Sequence, residues 1–152
     1  MSGQTMRGLT LCCGDGCGAL LALDEPLSFW GGMDRNTGMI IDTHHPQSGT
    51  SMAGRVILMD ASRGSSSSSS VLAEAIRAGV GPAAILLLVR DAIVALGVMA
   101  AAELYGTFVP VVLLDAEQSQ VLHASASGVH ICITAHASGH ADVVLYSLKN
   151  PH

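Results

Sequence analysis

The middle of the chain contains three short, continuous apolar runs. They lie at residues 55–59, 83–89 and 109–115, and each is bounded by glycine, proline or charged residues. Continuous apolar runs of this length are typical of strands that are buried on both faces of a parallel sheet. The pattern therefore predicts three buried strands in the centre of the fold.

The segments between these runs have the apolar spacing of helices. In residues 71–78 the apolar positions 71, 72, 75 and 76 share one face, and Gly79 can end the helix in a left-handed conformation. A second helix is predicted within residues 92–105, beginning near Leu96 and stopped by Gly106. The alternation of strand and helix predicts a parallel α/β core with right-handed crossovers.

Both ends of the chain have weaker β patterns. Residues 10–12 and 18–23 predict two short strands that the glycine-rich stretch 14–18 would separate. Residues 120–146 show further short β patterns interrupted by Gly128 and Gly139. We therefore expect hairpins beside the parallel core.

The composition indicates one domain, residues 1–152, with a surface that we expect another chain or another copy of this chain to cover in part. Charged residues make up 12% of the sequence, about half of the ~25% of an average soluble domain. The formal net charge is −5 and arginines and lysines form no cluster, which argues against nucleic acid or anionic membranes as partners. No apolar run approaches the ~20 residues that span a bilayer, and no signal peptide is visible, so we expect a cytoplasmic protein.

The cysteines and histidines do not form a recognisable metal motif. Cys12, Cys13, Cys17 and Cys132 include no C-x-x-C pair, and adjacent cysteines are awkward ligands, so we expect free thiols. The four histidines of the tail match no zinc spacing and are expected to be surface or strand residues; they are His123, His130, His136 and His140. The cysteine and histidine spacings therefore predict no metal site on this chain.

The sequence feature most suggestive of chemistry is Arg63-Gly64 followed by six serines, residues 65–70. Such a run commonly forms a flexible linker, but here a predicted strand and a predicted helix flank it closely. The pattern predicts a strand, a glycine turn and a serine-lined helix N-terminus. Unpaired N–H groups at a helix N-terminus bind anions, and the Arg63 guanidinium suits a carboxylate or phosphate. The alternative is that one serine caps the helix while the others only solvate its first turn.

Two further segments are candidates for an ordered functional loop. Residues 24–32 contain the only tryptophan, Trp30, next to Phe29. The aromatic pair either carries function or plugs one end of the sheet or barrel. The adjacent His44 and His45 point in diverging directions, so a surface loop, or one histidine contacting substrate, is favoured over a metal site.

An ordered set of motifs resembles the aconitase X small subunit, or swivel domain, over about residues 8–118. The motifs are residues 24–32 (DEPLSFWGG), 37–38 (TG), 41–42 (ID), 45–46 (HP), 51–56 (SMAGRV) and 63–68 (RGSSSS). The resemblance implies an α/β fold, a swivelling β/β/α unit with parallel strands, crossover helices and short hairpins. It further implies that this unit closes over a larger partner that carries an iron–sulfur cluster.

The same resemblance implies the site residues. The serine that acts as the base in the superfamily corresponds to Ser65. The residues expected to bind substrate are Arg63, Gly64, Ser66, Ser67, Ser28, Trp30 and His45. The cluster would be held by the large subunit, so the cysteines of this chain would be bystanders, and the partners would be that subunit and a small carboxylate substrate.

The reaction implied is dehydration of a small hydroxy acid. Bacterial members act on cis-3-hydroxy-L-proline and archaeal members on mevalonate 5-phosphate. An alanine-rich composition with a single lysine, Lys149, favours a bacterial source and hence hydroxyproline. Two departures from the pattern are Ser67, where aconitase has an arginine after its paired serines, and residues 60–62, which replace the usual glycines. The alternatives are a mevalonate 5-phosphate dehydratase small subunit and a non-catalytic anion-binding module.

Overall fold

A closed barrel of seven strands forms the centre of the computed structural model, which describes residues 4–125 and 128–147. Around the barrel the strand order is β1-β5-β4-β3-β2-β6-β7. The strands are β1 (Gln4–Cys12), β2 (Gly14–Ala22), β3 (Val56–Met59), β4 (Ala84–Leu87), β5 (Val111–Leu113), β6 (Val129–Ala135) and β7 (His140–Ser147). The helices are α1 (Phe29–Gly32), α2 (Ser68–Arg77), α3 (Ala92–Tyr105) and α4 (Ala116–Ser125).

Strands β2, β3, β4 and β5 are neighbours and run parallel, whereas β1, β6 and β7 close the barrel in antiparallel pairs. The parallel core with crossover helices is therefore confirmed. The central strands are buried on both faces. In β3, Val56 and Leu58 pack into the barrel interior, while Ile57 and Met59 pack against the core that α2 and α3 share. Burial on both sides explains why the apolar runs are continuous.

Helices α2 and α3 lie against each other on the outside of the parallel strands. A Cβ atom at Gly97 would lie 2.9 Å from the carbonyl oxygen of Ser69, so a glycine is needed where the two helices approach most closely. The prediction that α3 begins near Leu96 is wrong: it begins at Ala92, because the Asp91 carboxylate caps it by accepting from the N–H groups of Ile93 and Val94. Gly106 ends α3 at φ 70° as expected.

The predicted break at the glycine-rich stretch 14–18 is also wrong, because these residues are part of the continuous strand β2. A Cβ atom at Gly16 would collide with the carbonyl oxygen of Ala83, and one at Gly18 would collide with that of Gly54. These two glycines therefore allow neighbouring backbone to pack against the strand. They do not form a turn.

The first part of the segment predicted as β, residues 120–146, is in fact helical. Helix α4 extends to Ser125, and Leu122 packs into the barrel interior. Asp115 and Gln118 form a reciprocal capping box: each backbone N–H donates to the other's side chain, at 2.9 and 2.8 Å. The D-x-x-Q spacing was the available signal for this helix start.

Two of the four cysteines are not free thiols, contrary to the prediction. Cys17 of β2 is paired directly opposite Cys132 of β6, and the two form a disulfide. Because the two cysteines are 115 residues apart, their spacing in the sequence does not predict that they are neighbours. Cys12 is buried and Cys13 is exposed, and both are free. Burial, and to a lesser degree the neighbouring Cys13, raises the pKa of the Cys12 thiol.

Across the described ranges, no helix combines the length and the apolar character needed to span a bilayer.

Candidate active site

The serine run connects the carboxyl end of β3 to helix α2. The helix itself begins at Ser68 with Ser67 as its N-cap, so Ser65 and Ser66 precede it. The Ser68 N–H donates to the Ser65 carbonyl at 3.0 Å, and the Ser69 N–H donates to the Ser66 carbonyl at 3.2 Å, which makes a tight entry turn. Residues 65–67 are exposed to solvent there.

Gly64 meets two requirements that exclude other residues. Its φ of 98° lies in the left-handed region, and a Cβ atom would lie 2.9 Å from the Ser28 hydroxyl oxygen. The Arg63-Gly64 step can therefore turn sharply while remaining in contact with the loop that carries Ser28.

The tryptophan loop is joined to the serine loop by main-chain contacts. Leu27 and Ser62 form a parallel bridge, and the Arg63 N–H donates to the Leu27 carbonyl at 3.0 Å. The Trp30 N–H donates to the Ser68 hydroxyl at 3.1 Å. The structure thus brings together two segments that the sequence separates by about thirty-five residues.

The aromatic pair of this loop has two different environments. Phe29 is fully buried in the core between the sheet and the helices, while the Trp30 side chain is 57% exposed. Gly31 follows at φ 80° and turns the chain back. Phe29 is therefore a core residue, whereas Trp30 projects beside the serine loop, and a functional role for Trp30 stays a prediction.

Ser65 differs from the other serines in the contact that its side chain makes. Its Oγ accepts a hydrogen bond from the Ser67 N–H at 3.1 Å. Among the described residues, the backbone N–H groups of Ser65 and Ser66 have no hydrogen-bond partner in the protein. The entry turn thus directs one amide at the Ser65 oxygen and leaves two amides available to an anion.

Arg63 supplies the positive charge of the loop. Its guanidinium lies 3.9 Å from the Glu25 carboxylate, and both side chains are about half exposed or more, at 60% and 49%. An exposed pair at this distance is weak. The guanidinium can therefore turn to a substrate carboxylate with little loss of stability.

Asp91 anchors the base of the serine loop. One carboxylate oxygen, Oδ2, accepts from the backbone N–H and the hydroxyl of Ser62, at 2.6 and 2.5 Å. The other oxygen caps α3. Partial burial raises the pKa of Asp91, but these four hydrogen bonds together outweigh it, and the pKa lies below its usual value.

His45 is buried, and its two ring nitrogens contact Gln47 and Glu25. Its Nδ1 accepts from the Gln47 N–H at 3.0 Å, and its Nε2 lies 3.0 Å from the Glu25 carbonyl oxygen, which requires a proton on Nε2. With both ring nitrogens occupied, His45 holds the backbone of Glu25, the residue that faces Arg63. Its expected contact with substrate stays a prediction.

The serines after Ser65 divide by environment. Ser66, Ser67 and Ser70 are exposed, Ser68 is fully buried, and the Ser69 hydroxyl donates to the Ile93 carbonyl at 2.7 Å. Sequence reasoning missed Ser62, Asp91 and the structural role of Ser68. Asp91 had a visible signal, since an aspartate directly before an apolar helical segment is a typical N-cap.

The thiols of the described residues do not fit an iron–sulfur cluster. Such clusters are held by cysteine thiolates, commonly about four, whereas this chain offers only the adjacent Cys12 and Cys13 outside its disulfide. Cys12 is buried, with a raised pKa that disfavours its thiolate.

Comparison with known proteins identifies relatives across most of the chain. Residues 5–142 match the family model described as the aconitase X swivel domain. The chain is 47% identical over 105 residues to a cis-3-hydroxy-L-proline dehydratase of Pseudomonas aeruginosa, covering 69% of this chain and 18% of that protein. It is 41% identical over 88 residues to a phosphomevalonate dehydratase small subunit of Methanothermobacter thermautotrophicus, covering 58% of this chain and 67% of that subunit.

The fold also matches a solved structure. The crystal structure of Thermococcus kodakaraensis aconitase X in its holo-form superposes with a TM-score of 0.76 at 24% identity, covering 92% of this chain and 98% of that chain. By contrast, this chain spans only 18% and 20% of the length of two cis-3-hydroxy-L-proline dehydratases, those of Pseudomonas aeruginosa and Hypocrea jecorina. Those proteins contain a large region that has no counterpart here.

Proposed function

This chain belongs to the aconitase X swivel-domain family, and from that premise we propose that it is the small, swivelling part of a dehydratase whose site is completed by a larger partner. Ser65 acts as the base that takes the substrate proton. The substrate class is a small hydroxy acid, with cis-3-hydroxy-L-proline as the specific candidate.

The observation that carries this proposal is the hydrogen bond from the Ser67 N–H to Ser65 Oγ. A serine hydroxyl is a very weak base unless nearby positive charge or hydrogen-bond donors stabilise its alkoxide. The Ser67 amide is directed at that oxygen, and the start of α2 places the positive end of a helix dipole behind it. Arg63 adds a full positive charge two residues away.

The amides of Ser65 and Ser66 and the Arg63 guanidinium suit the carboxylate of the substrate. Removing a proton from the carbon next to a carboxylate moves negative charge onto that carboxylate. Donors that are already in place stabilise this charge as it develops, without reorganisation during the reaction. Gly64, Ser28 and Trp30 lie beside these donors, and Ser66 and Ser67 offer exposed hydroxyls next to them.

The remainder of the site belongs to the partner. Residues 65–67 are open to solvent, and Trp30 is exposed beside them, so nothing in the described residues covers a bound substrate. We assign the iron–sulfur cluster to that partner, because the cysteines of this chain do not fit one. A soluble, cytoplasmic complex of the two is the expected form.

Hydroxyproline is preferred over mevalonate 5-phosphate because the similarity to the Pseudomonas aeruginosa dehydratase is higher and longer. The identities are 47% over 105 residues and 41% over 88 residues. The two substrates also differ in the negative charge that the serine loop would have to bind. A phosphate carries more charge than a single carboxylate, and Arg63 is the only guanidinium in the entry turn.

The test is co-expression with the cluster-bearing large chain, followed by assay of the purified complex. We expect loss of cis-3-hydroxy-L-proline and formation of a pyrroline-2-carboxylate, with neither chain active alone. If the complex dehydrated mevalonate 5-phosphate instead, the proposed dehydratase activity would stand and only the proposed substrate would be wrong. A complex that binds carboxylates without turning any over would support the anion-binding module.

A further inference from the structure

Three metal-ligating side chains meet on the hairpin formed by β6 and β7. His136, His140 and Asp142 each offer one donor atom, and these atoms all lie within 4.8 Å of one another. His136 Nε2 is 3.1 Å from Asp142 Oδ2, and the two imidazole rings have centroids 4.5 Å apart. No other group of three such donors occurs in residues 4–125 and 128–147.

The strand register explains why these residues meet. Ala135 pairs with Ala141 and Thr134 pairs with Asp142, so His136 and His140 form the next pair toward the turn. Because Ala135 and Ala141 are buried in the barrel, the residues on either side of them point outward. His136 and His140 therefore lie opposite each other, and Asp142 follows two residues along on the same face.

The backbone that carries the three ligands is held in place. The His136 N–H donates to the His140 carbonyl at 2.9 Å, and the Gly139 N–H donates to the His136 carbonyl at 3.1 Å. Thr10 of β1 binds the turn from the other side: its hydroxyl donates to the His140 carbonyl at 2.9 Å and its N–H donates to the Gly139 carbonyl at 2.8 Å. The ligand positions are fixed by the barrel, and only the side chains need to move.

The local charge suits a cation. The charged groups on neighbouring strands are Arg7, opposite Asp142 in β1, and Asp15, opposite Thr134 in β2. With neutral histidines the set carries two negative charges and one positive charge. The two carboxylates would attract a divalent ion to this position.

The donor set selects the kind of metal. Two imidazoles and one carboxylate favour a divalent transition ion such as zinc over calcium or magnesium, which prefer oxygen ligands. Ligands at roughly 2.0–2.2 Å from zinc lie about 3–3.5 Å from one another. The His136–Asp142 pair already has this spacing. The exposed His140 side chain can bring its ring nitrogen to the same distance from them by a rotamer change.

We propose that His136, His140 and Asp142 bind one divalent transition-metal ion of the zinc class, with water completing the coordination. The site lies at the end of the barrel away from the serine loop. Strand β2 begins at Gly14 opposite Ala135 and reaches Ala22 opposite Leu58, next to the serine loop, a span of roughly 26 Å. The ion pins the hairpin tip and takes no part in the proposed dehydration.

The experiment titrates the untagged full chain, with its Cys17–Cys132 disulfide intact, with zinc alone in a calorimeter and with cobalt as a spectroscopic probe. We expect one saturable site, a cobalt d–d absorption band, and affinity at least about tenfold lower in His140→Ala. His44→Ala is the matched control, because His44 is also exposed beside another histidine, and it should bind like wild type. Zinc should raise the melting temperature of wild type and of His44→Ala but not of His140→Ala.

His140 is exposed, so its loss should leave the fold intact, and Asp142→Asn provides a second variant that keeps the shape of the side chain. Equal affinity in wild type, His140→Ala and Asp142→Asn would overturn the proposal, and so would the absence of any saturable zinc site in wild type. A site abolished by Cys13→Ser but kept in His140→Ala would place the ion on the thiols and would equally overturn it.

Discussion

Ser68 Oγ, fully buried at the start of α2, accepts the backbone N–H of Trp30 at 3.1 Å across 38 residues of sequence. This contact makes the serine run a set of distinct positions. Ser68 fixes the turn that presents Trp30, Ser69 fastens α2 to the start of α3, and Ser65 remains exposed in the entry turn. The side chains of Ser65, Ser68 and Ser69 therefore make three different contacts within the low-complexity run.

The Ser68–Trp30 contact leads to a prediction about stability. We expect Ser68→Ala to lower the free energy of unfolding by about 1–3 kcal/mol, because it leaves the partly buried Trp30 N–H without a partner. Ser70→Ala, in the same helix turn but exposed, should change it by less than about 0.5 kcal/mol. Urea unfolding of the two variants makes the comparison, and equal losses would show that the Ser68 contact contributes nothing.

Gly64 combines two constraints that a pair of variants can separate. Gly64→Ala should destabilise by about 1–3 kcal/mol or more, from the strain of positive φ and from the contact with Ser28. Gly49→Ala is the control for φ alone, since Gly49 has φ 90° but no atom within 4 Å of an added Cβ. Gly64→Ala should therefore be the more damaging of the two in thermal unfolding. Equal effects would mean that the loop carrying Ser28 shifts away from the added Cβ atom at little cost in free energy.

The fold was largely predictable because its central strands are buried on both faces, and that leaves a continuous apolar signature. The start of α3 was misplaced because Asp91 acts through a cap, which apolar spacing does not reveal. The Cys17–Cys132 disulfide and the histidine cluster depend on the register of β2, β6 and β7. Register brings together residues that sequence spacing leaves apart, so neither could be read from the intervals between cysteines or histidines.

The candidate site also has one part that could be predicted from the sequence and one part that could not. Arg63, Gly64 and Ser65 are contiguous, so their chemistry was visible in the sequence. The partners that hold them are distant: Asp91 for Ser62, Ser28 for Gly64, and Glu25 for Arg63. The resemblance identified Ser28 through the family motif. Asp91 had a sequence signal only as a helix cap, and its contact with Ser62, like that of Glu25 with Arg63, became visible only once the loops were folded together.

Asp91 gives the protein a defined response to acid. Its pKa is lowered in the folded state, so its contribution to stability is present above the unfolded value, ~3.9, and is lost as pH falls through the folded value. Asp91→Asn should therefore be less stable than wild type at neutral pH, and the difference should shrink below about pH 4. Glu103→Gln, exposed on the same helix, is the control. A difference that stayed constant from pH 7 to 3 would contradict the prediction.

Trp30 is predicted to anchor the partner. Its side chain is 57% exposed beside the serine loop, and exposed aromatics often dominate the energy of an interface. Trp30→Ala should weaken binding to the large chain by about 2 kcal/mol, a roughly thirty-fold change in Kd. Leu104→Ala is the matched control, because Leu104 is 68% exposed on α3. If Leu104→Ala weakens binding while Trp30→Ala does not, docking occurs on α3.

A scan of the serine run in the assembled complex tests the base. Ser65→Ala should lower turnover by about 10²–10⁴, the usual range for losing a positioned acid–base group. Its stability should change by less than about 1 kcal/mol, since the side chain is exposed and accepts only one local hydrogen bond. Ser70→Ala should leave turnover within a few-fold, because that side chain lies on the exposed face of α2 beyond the entry turn.

Arg63→Lys refines the same test. An ammonium group cannot reproduce the two-pronged contact of a guanidinium with a carboxylate, so KM should rise while kcat falls less. Ser68→Ala is distinguished from Ser65→Ala by its effect on stability: it should lower the free energy of unfolding, and it should lower turnover only by displacing the Trp30 turn. A flat turnover profile across residues 65–70, with every complex intact, would mean that these serines only solvate and cap α2. In that case the proton would have to be taken by a group on the partner.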